Sequence, residues 1–521
     1  MTYLQVALLA VPISLMLLAG LVPSAIADRC VVRFRRAALF FAGLHMSAAV
    51  GSAVWMAVSG GWHWNLFGRG LSLRYDGVAA LMLLMVSFVG FVVCKYSIRY
   101  LDGEATQGRY FRWIALTIGA VSLMVVSGNL LLFFLAWMIT SFGLHRLLLH
   151  YPHRRAAQRA AWTKFTISRI GDAFLVGALV LTFNLFGTFE LSELFSKLKD
   201  LAATSQVTAS HAAIGWLLVL GAMTKSAQFP FHTWLPETME TPTPVSALMH
   251  AGIVNAGGYL IIRMSPLVAL APAALVTLAV VGAFTACFAG VVMMTQPSVK
   301  RALAYSTIAQ MGFMMLQCGL GAFSAAMLHI LAHSLYKAHA FLSSGSVIAQ
   351  SMSTAGAKSP KPSPRMNIVF LLGAAAATVL AFFAGSTALG LDASAKPGGV
   401  VLASILCLAV TTWGWRLFTL GEMRTMFVGV AGASALCLAY VGSYLAVRHL
   451  VGSNVAVPSL SPIAQFVFIG VALSFCVLFA LHVCVFRQLS PQWLAPIRVH
   501  AANGFYVDAI CHRTFSLLAK S

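Results

Sequence analysis

Residues 221–252 read GAMTKSAQFPFHTWLPETMETPTPVSALMHAG, a stretch in which a lysine and four prolines interrupt apolar sequence. Lys225 lies near the end of an apolar run, and Pro230 follows it five residues later. Proline removes a backbone donor and clashes with the preceding turn, so the stretch cannot form one continuous helix. If the flanking runs span a membrane, such a break must face protein or a cavity. The pattern therefore makes Lys225 a candidate transport residue, the alternative being a lysine that reaches a membrane interface.

The composition of the 521-residue chain indicates that these runs do span a membrane. Sixty per cent of the residues are hydrophobic and only 9% are charged, whereas soluble domains carry about 25% charged residues. This excludes an ordinary soluble enzyme, a disulfide-rich secreted scaffold and a disordered chain. The apolar runs have the length of about 20 residues that a spanning helix needs, about twice that of barrel strands. We therefore predict an all-α polytopic membrane protein.

Fifteen apolar runs are predicted to be membrane-spanning helices. They cover residues 3–22, 36–58, 77–93, 113–127, 129–149, 161–186, 212–228, 243–263, 268–293, 301–321, 323–349, 367–389, 399–418, 425–447 and 462–486. The longest gap, 187–211, predicts a short surface helix. The Pro- and Ser-rich residues 351–366 predict a cytoplasmic linker.

The net charge of +21 is distributed in a way that indicates topology. Of the 34 lysines and arginines, 24 are counted with the loops and span ends on one side, seven with those on the other side, and Arg169, Lys225 and Lys337 as lying inside spans. The 24 include Lys164, and the seven include Arg263. The positive-inside rule then places the N-terminus outside and the C-terminus in the cytoplasm. The charge is therefore no indication of nucleic-acid binding. The nine cysteines form no CxxC pair and indicate no disulfide framework.

The stretch LHILAHSLYKAH, residues 328–339, places three titratable groups on one helical face. His329, His333 and Lys337 are spaced i, i+4 and i+8, with a rise of about 6 Å between successive members. Histidine titrates near neutral pH, so this row suits proton transfer. Two alternatives are a metal site and hydrogen-bonded structural groups, although no HExxH glutamate is present.

Further ionisable residues lie in or beside the predicted spans, where a charge is costly. These are Asp172, Glu237, Glu240, His250 and His339. Asp172 follows Arg169 by three residues, so an ion pair within the helix is as reasonable as a role in proton transfer.

Several motifs resemble the antiporter-like subunits of respiratory complex I, of the subunit 5 or L type, and of Mrp antiporters. They are YDGVAALML (75–83), YSIRY (96–100), GNLLLFFLAW (128–137), SRIGDAFL (168–175), TKSAQFPFHTWLPETMETPTPVSALMHAG (224–252), VKRALAYSTIAQMGF (299–313) and LAHSLYKAHAFLSSGSVI (331–348). The resemblance implies fourteen to fifteen helices with two inverted five-helix repeats, each containing a broken helix. By motif, Lys225 matches the broken-helix lysine and His250 the histidine of the next helix. His329, His333 and Lys337 match the connecting polar segment.

The resemblance also implies a division of the chain. N-terminal helices would occupy 1–112, a first repeat 113–263, and a second repeat with its linker 264–420. C-terminal helices and an amphipathic cytoplasmic tail would follow at 421–521.

The sequence departs from the family pattern at charged positions. Met138 stands where the family has the glutamate that pairs with the broken-helix lysine. Lys225 would then need another partner, for which Asp172, Glu237 and Glu240 are candidates. The run AFFAGSTALG (381–390) carries no lysine, and Ser298 replaces an aspartate. The chain ends soon after its fifteenth span, so we expect neither a long lateral helix nor a complete two-channel pump.

The carboxylate-poor sequence and its NGFYVDAI motif (503–510) are similar to DabB-type subunits of bacterial inorganic-carbon accumulation systems. This resemblance implies a DabA-like partner, a large zinc protein on the cytoplasmic side with a carbonic-anhydrase-like site. A proton or sodium gradient through the inner membrane would drive conversion of CO2 to bicarbonate there. The chain itself would hold no cofactor and would not be an enzyme. The alternatives are a subunit of a complex I-like or Mrp-like complex and a structural membrane anchor.

Overall fold

The structure is a computed structural model that describes residues 2–66, 71–204, 207–346, 363–392, 398–456, 458, 462–486 and 494–518. Its long helices are Thr2–Ala19, Val31–Ser59, Gly77–Tyr100, Gln107–Val126, Leu130–Leu148, Arg155–Phe186, Ala209–Lys225, Thr243–Ala251 continued by Ala256–Arg263, Pro272–Met293, Val299–Gly319, Phe323–Leu342, Pro364–Ala388, Gly399–Phe418, Met423–Val451 and Pro462–Phe486. Each predicted span coincides with one of these helices. Eleven of the described helices are long and apolar enough to cross a membrane, which confirms the all-α polytopic class.

Short elements connect the long helices. They are the helices Ser24–Arg29, Leu191–Thr204, Trp234–Glu237, Ser265–Val268, Leu494–Ala502 and Val507–Leu518, and the single 3-10 turns Phe231–Thr233, Thr238–Glu240, Ile253–Asn255, Gly452–Asn454 and Gly504–Tyr506. The helix Leu191–Thr204 is the surface helix predicted in the gap 187–211. The predicted linker at 351–366 lies outside the described residues up to residue 362, and a helix begins at Pro364.

An antiparallel hairpin, Trp62–Leu66 with Leu71–Tyr75, was not predicted. Trp62 pairs with Tyr75, and their rings stack with centroids 5.8 Å apart. Strands of only five residues leave too short a pattern in the sequence to identify such a hairpin.

The predicted interruption after Lys225 is present, and the segment 209–240 is called the broken helix below. The helix ends at Lys225, and the chain continues irregularly to a short turn at Phe231–Thr233. Protein groups satisfy the freed backbone: Gln228 N donates to Met223 O at 3.0 Å, and Trp234 Nε1 donates to Thr224 O at 3.3 Å. The break therefore exposes little unpaired backbone, as a position inside a membrane requires.

The second expected interruption differs from the first. The helix that carries the Phe-Phe of AFFAGSTALG is continuous from Pro364 to Ala388. In this range no proline breaks the helix after its first turn, and no charged side chain lies beside the Phe-Phe pair. The helix Pro364–Ala388 therefore lacks an internal end like the one that positions Lys225.

Two glycines bring neighbouring helices into backbone contact with the broken helix. A Cβ atom at Gly171 would overlap Thr224 Oγ1. A Cβ atom at Gly257 would overlap Ala222 O and Ser226 Oγ. The turns on either side of Lys225 are therefore held between the helix Arg155–Phe186 and the helix Ala256–Arg263.

A buried ion-pair network fixes the opposite end of the bundle. Asp76 caps the helix Gly77–Tyr100 by accepting from Ala79 N at 3.1 Å. It also accepts from Arg74 Nε at 2.9 Å and from Arg263 Nη1 at 2.7 Å. Burial raises the pKa of Asp76, but Arg263 and Arg74 outweigh this effect and lower it to about 2. The carboxylate is therefore ionised at any physiological pH.

The structure corrects the sequence interpretation of Arg263, which was counted as a loop residue. Its side chain is only 2% exposed, and its guanidinium also donates to Tyr259 Oη. The Tyr259 hydroxyl in turn donates to Val125 O at 2.6 Å. A loop arginine does not explain this set of contacts, whereas a buried structural arginine does.

We expect Asp76→Asn to destabilise the protein by about 3–5 kcal/mol, because it leaves Arg263 buried without its counter-charge. Thermal unfolding of the purified protein in detergent measures this loss. The pair should contribute fully above the ordinary carboxyl pKa of about 4 and lose its contribution as pH falls toward 2. Asp102→Asn, which breaks the exposed pair with Arg35, serves as the control. Equal stability of the two variants would contradict the prediction.

We expect Gly257→Val to lower stability by about 1–3 kcal/mol or more, because its side chain overlaps a backbone carbonyl that cannot move independently. The matched control is Gly442→Val in the helix Met423–Val451, where an added Cβ meets no atom within 4 Å. The folded fraction after heating, measured by fluorescence-detected gel filtration, compares them. If both variants behave alike, the close approach at Gly257 does not position the broken helix.

Candidate ion-translocation site

Lys225 lies over the face of an aromatic ring rather than beside a carboxylate. It is 5% exposed, and its Nζ is 4.6 Å from the ring centroid of Trp137. Trp137 Nε1 donates to Asp172 Oδ1 at 3.1 Å, and the other oxygen of Asp172 pairs with Arg169. The ion pair expected three residues apart is therefore present. Trp137 therefore contacts both Lys225 and Asp172.

The structure tests which of the expected carboxylates lies beside Lys225. Among the described residues, none forms an ion pair with Lys225 within 4.0 Å. Glu240 is excluded as its partner, because it lies 3.4 Å from Arg154 Nη1 and both side chains are about half exposed. Asp172 interacts with Lys225 electrostatically without forming an ion pair with it. Met138, at the position of the family's glutamate, is half-buried and carries no charge.

Lys164 is a site residue that the sequence interpretation missed, because it counted this lysine in a cytoplasmic loop. The side chain is 2% exposed and lies inside the helix Arg155–Phe186. Its Nζ donates to Ser141 O at 2.6 Å and to Ser141 Oγ at 2.8 Å. Lys225, Arg169 and Asp172 are all close enough to interact with its charge. Its spacing of eight residues from Asp172, two helical turns, is a signal that could have identified it.

The second cluster contains the other predicted residues, namely His250, His329, His333 and Lys337. His333 is 5% exposed, and its Nε2 donates to the backbone oxygen of His250 at 3.3 Å. The rings of His329 and His333 stack with centroids 5.9 Å apart. The spacing therefore brings these two histidines together, as expected.

The remaining members of the second cluster are also buried. Lys337 is fully buried and donates to Leu303 O at 3.2 Å instead of to a histidine. His250 is fully buried and stacks on Phe341 with centroids 4.4 Å apart. Neither ring nitrogen of His250 has a hydrogen-bond partner among the described residues. His339 is exposed and lies outside the cluster.

Two hydrogen bonds join the two clusters through the 3-10 turn Ile253–Asn255, which precedes the helix that begins at Ala256. Ser226, next to Lys225, donates to Val254 O at 2.7 Å. Asn255, next to Val254, donates to Ser334 Oγ at 2.9 Å, and Ser334 follows His333 directly. The helix end at Lys225 is therefore coupled through neighbouring residues to the histidine row.

Glu237 belongs to a third group, at the end of the bundle where Arg154 and Arg301 lie. Its charge acts on the Tyr305 hydroxyl and on the Cys511 thiol, and the charge of Asp508 acts on the same two groups. Enclosed oxygens of both carboxylates have essentially no contact with solvent. Asp508 was not predicted, since nothing in its local sequence shows which helices it meets.

The residues around Asp508 dock firmly on the bundle. Gln296 Nε2 donates to Ala502 O at 3.2 Å, and the ring of Phe505 lies 5.7 Å from that of Phe288. Gly504 has φ +60° and passes so close to the Tyr305 hydroxyl that a Cβ there would be 3.0 Å from it. Glycine adopts this positive φ without strain and has no Cβ atom to crowd the Tyr305 hydroxyl.

The site can hold protons but is not arranged as a metal centre. Across the part of the chain that the structure describes, no three His, Cys, Asp or Glu side chains group as metal ligands. Each cluster instead combines a buried lysine with other ionisable side chains, a carboxylate in the first cluster and histidines in the second. Such ionisable residues at membrane depth are characteristic of ion pathways.

Comparisons with known proteins identify the family of this chain. The family model "NADH:quinone oxidoreductase/Mrp antiporter, TM" matches residues 127–412, and the model for the N-terminus of complex I chain 5 matches residues 64–111. A probable inorganic carbon transporter subunit DabB2 from Halothiobacillus neapolitanus is 38% identical over 84% of this chain and 79% of its own length. NADH-quinone oxidoreductase subunit L from Mycobacterium tuberculosis is 39% identical over 53% of this chain and 43% of its own length.

A solved structure extends the similarity to most of the chain. The structure of the Mrp complex from Dietzia sp. DQ12-45-1b matches with a TM-score of 0.65 and 25% identity, covering 98% of this chain and 59% of that one. The resemblance inferred from the motifs is thereby confirmed. The chain belongs to the family of antiporter-like transmembrane subunits that NADH:quinone oxidoreductases and Mrp antiporters share.

Proposed function

We propose that this chain conducts protons through the membrane for an inorganic-carbon accumulation complex. The observation that carries the proposal is the pair of buried, coupled clusters that contain Lys225 and Lys337. In the first cluster, Lys164, Lys225 and Arg169 surround a single carboxylate, Asp172. The excess positive charge is costly in a low-dielectric interior, so release of a proton from this cluster relieves repulsion.

The proposed route runs from Lys225 through His250 and His333 to Lys337, with His329 at its side. The charges of Asp172 and Arg169 act on Lys225, and Lys164 interacts electrostatically with the same three groups. Imidazole rings can bind and release protons at either nitrogen, which suits intermediate positions of a relay. Rotation of the unbonded His250 ring would change which cluster its nitrogens face. Protons, rather than sodium ions, are proposed because lysine and histidine bind protons and do not coordinate cations while charged.

The carbon-related part of the proposal is supported by the relatives. The DabB2 relative carries the name of a probable inorganic carbon transporter subunit, and so does a 39% identical protein from Hydrogenovibrio crunogenus. We propose a DabA-like zinc-containing partner on the cytoplasmic side, where the proton gradient would drive hydration of CO2. In this arrangement the chain lies in the bacterial inner membrane with its N-terminus outside, holds no cofactor and performs no catalysis itself.

A second candidate function is ion transport in a complex I-like or Mrp-like assembly. The specific observation in its favour is the match of 98% of the chain to a structure of an Mrp complex. The continuous helix Pro364–Ala388 favours the first candidate, because a second interrupted helix with a lysine is expected of a two-channel pump. Purification from the native host distinguishes them: a single large zinc protein supports the first, and flavin or iron–sulfur subunits support the second.

We expect Lys225→Gln and Lys337→Gln each to lower proton flux by about tenfold or more, because each removes a group that holds the transferred proton. Flux through the reconstituted complex is measured in vesicles with an imposed potential and a pH-sensitive dye. Both variants should also fail to rescue carbon-limited growth at unchanged protein abundance.

The matched control is Lys199→Gln, since Lys199 is an exposed lysine on the surface helix Leu191–Thr204. It should retain the flux of the unmodified protein. Unchanged flux in both buried-lysine variants would overturn the proposed path. A loss of flux accompanied by a loss of abundance in all three variants would show a folding defect instead.

We expect Asp508→Asn to lower flux as well, since Asp508 and Glu237 would provide the proton-accepting carboxylates at the cytoplasmic end. Asp508→Glu should retain most of the flux because it keeps the charge. Asp200→Asn, an exposed carboxylate on the helix Leu191–Thr204, is the control. Normal flux in Asp508→Asn would remove Asp508 from the path and leave the roles of the lysines unaffected.

A further inference from the structure

Two cavities lie side by side at the ends of the helices opposite Arg154 and Arg301. The first has a volume of about 660 Å³ and lies between the turn at Gly321–Phe323 and the helix Met423–Val451. Its inner wall is apolar, with Phe382, Leu402 and Leu445. Arg448 and two tyrosine side chains also line it.

The second cavity is polar and has a volume of about 600 Å³. The hairpin and the end of the helix Met423–Val451 form its walls, with His63, Arg74 and Tyr75 among the lining residues. Arg74 shares the carboxylate of Asp76 with Arg263, so these three groups together keep one net positive charge. His449 and Asn454 add further polar side chains to the lining of this cavity.

The two cavities share His449 and Ser453 as a common wall. An apolar chamber and a polar chamber thus meet at one place, with Arg448 and His449 at the junction. Both volumes lie in the range of about 300–1,000 Å³ that is usual for bound small molecules. Among the described lining residues there is one carboxylate, Asp76, and its pairing with both Arg74 and Arg263 leaves one net positive charge. Arg448 adds a second positive charge at the junction.

The position along the helices fits the boundary of a membrane. The cavities lie where long apolar helices end and loops begin, and the exposed backbone turn at Gly60–Gly61 borders the polar one. Tyrosine and tryptophan favour such boundaries because they combine an apolar ring with a polar atom. Tyr440 and Tyr444 line the apolar cavity, and Trp62 lines the polar one.

We propose that this pair of cavities binds an anionic phospholipid, with acyl chain in the apolar cavity and head group in the polar one. Arg448 would bind the phosphate through its guanidinium, which matches phosphate geometry with two parallel hydrogen bonds. His449 and Asn454 would contact the remaining head-group oxygens. A free phosphate ion would use the same polar groups but would leave the apolar cavity unfilled. The site is separate from the proposed proton path and does not depend on it.

The test uses the purified full-length protein in detergent. Native mass spectrometry counts bound lipid, and thermal unfolding is followed with dioleoyl phosphatidylglycerol, dioleoyl phosphatidylcholine or inorganic phosphate. We expect phosphatidylglycerol to remain bound and to raise the unfolding temperature by several degrees, since a ligand of the native state stabilises it. Phosphatidylcholine and phosphate should produce smaller shifts.

Two variants separate the head-group contact from the acyl-chain contact. Arg448→Gln should weaken phosphatidylglycerol binding by about tenfold through loss of a charge-assisted contact. Leu402→Trp should exclude the acyl chain by filling the apolar cavity. Arg33→Gln, an exposed arginine at the other end of the bundle, is the control and should bind lipid normally.

Each other outcome contradicts the proposal in a specific way. An equal shift with inorganic phosphate indicates a free-anion site. Equal retention of both lipids indicates no selection of charge. Normal lipid binding in both Arg448→Gln and Leu402→Trp, when these variants are folded, shows that the lipid binds elsewhere.

Discussion

The site depends on a helix that ends inside the protein without leaving its backbone unpaired. At Lys225 the helix stops, and the groups that would continue its ladder instead meet protein partners. The indole of Trp234 binds Thr224 O, and Gln228 N binds Met223 O. Since lipid offers no hydrogen bonds, such a break is possible only where the surrounding helices supply them. The contacts made through Gly171 and Gly257 bring those helices close enough.

Replacement of a carboxylate by Met138 changes how the buried lysine is held. A glutamate next to Lys225 would neutralise it, whereas the face of Trp137 attracts a cation without cancelling its charge. The indole N–H meanwhile orients Asp172, whose second oxygen is engaged by Arg169. One aromatic side chain thus contacts both the buried lysine and the carboxylate of the first cluster. With three basic groups around one carboxylate, the first cluster keeps an excess of positive charge.

The helices were predictable because apolar length is a local property of sequence, and all fifteen predicted spans coincide with described helices. The locations of single charges were less predictable. Lys164 and Arg263 lie near span ends, where hydropathy cannot distinguish a side chain that enters solvent from one that turns inward. Lys164 turns toward Ser141 O and Arg263 toward Asp76. Both partners are distant in sequence, so tertiary packing decides their burial.

The constraints on the two clusters differ, and this difference bears on how a proton could pass between them. In the first, Asp172 is held by two donors and Lys164 by two acceptors, so their positions are fixed. In the second, the ring of His250 is held by stacking on Phe341 alone among the described contacts. Reorienting a stacked ring requires no hydrogen bond to break, whereas moving Asp172 breaks a hydrogen bond and an ion pair. On the proposed path, His250 can therefore reorient without losing a described hydrogen bond, and so can Lys225, whose Nζ has no hydrogen-bond partner among the described residues.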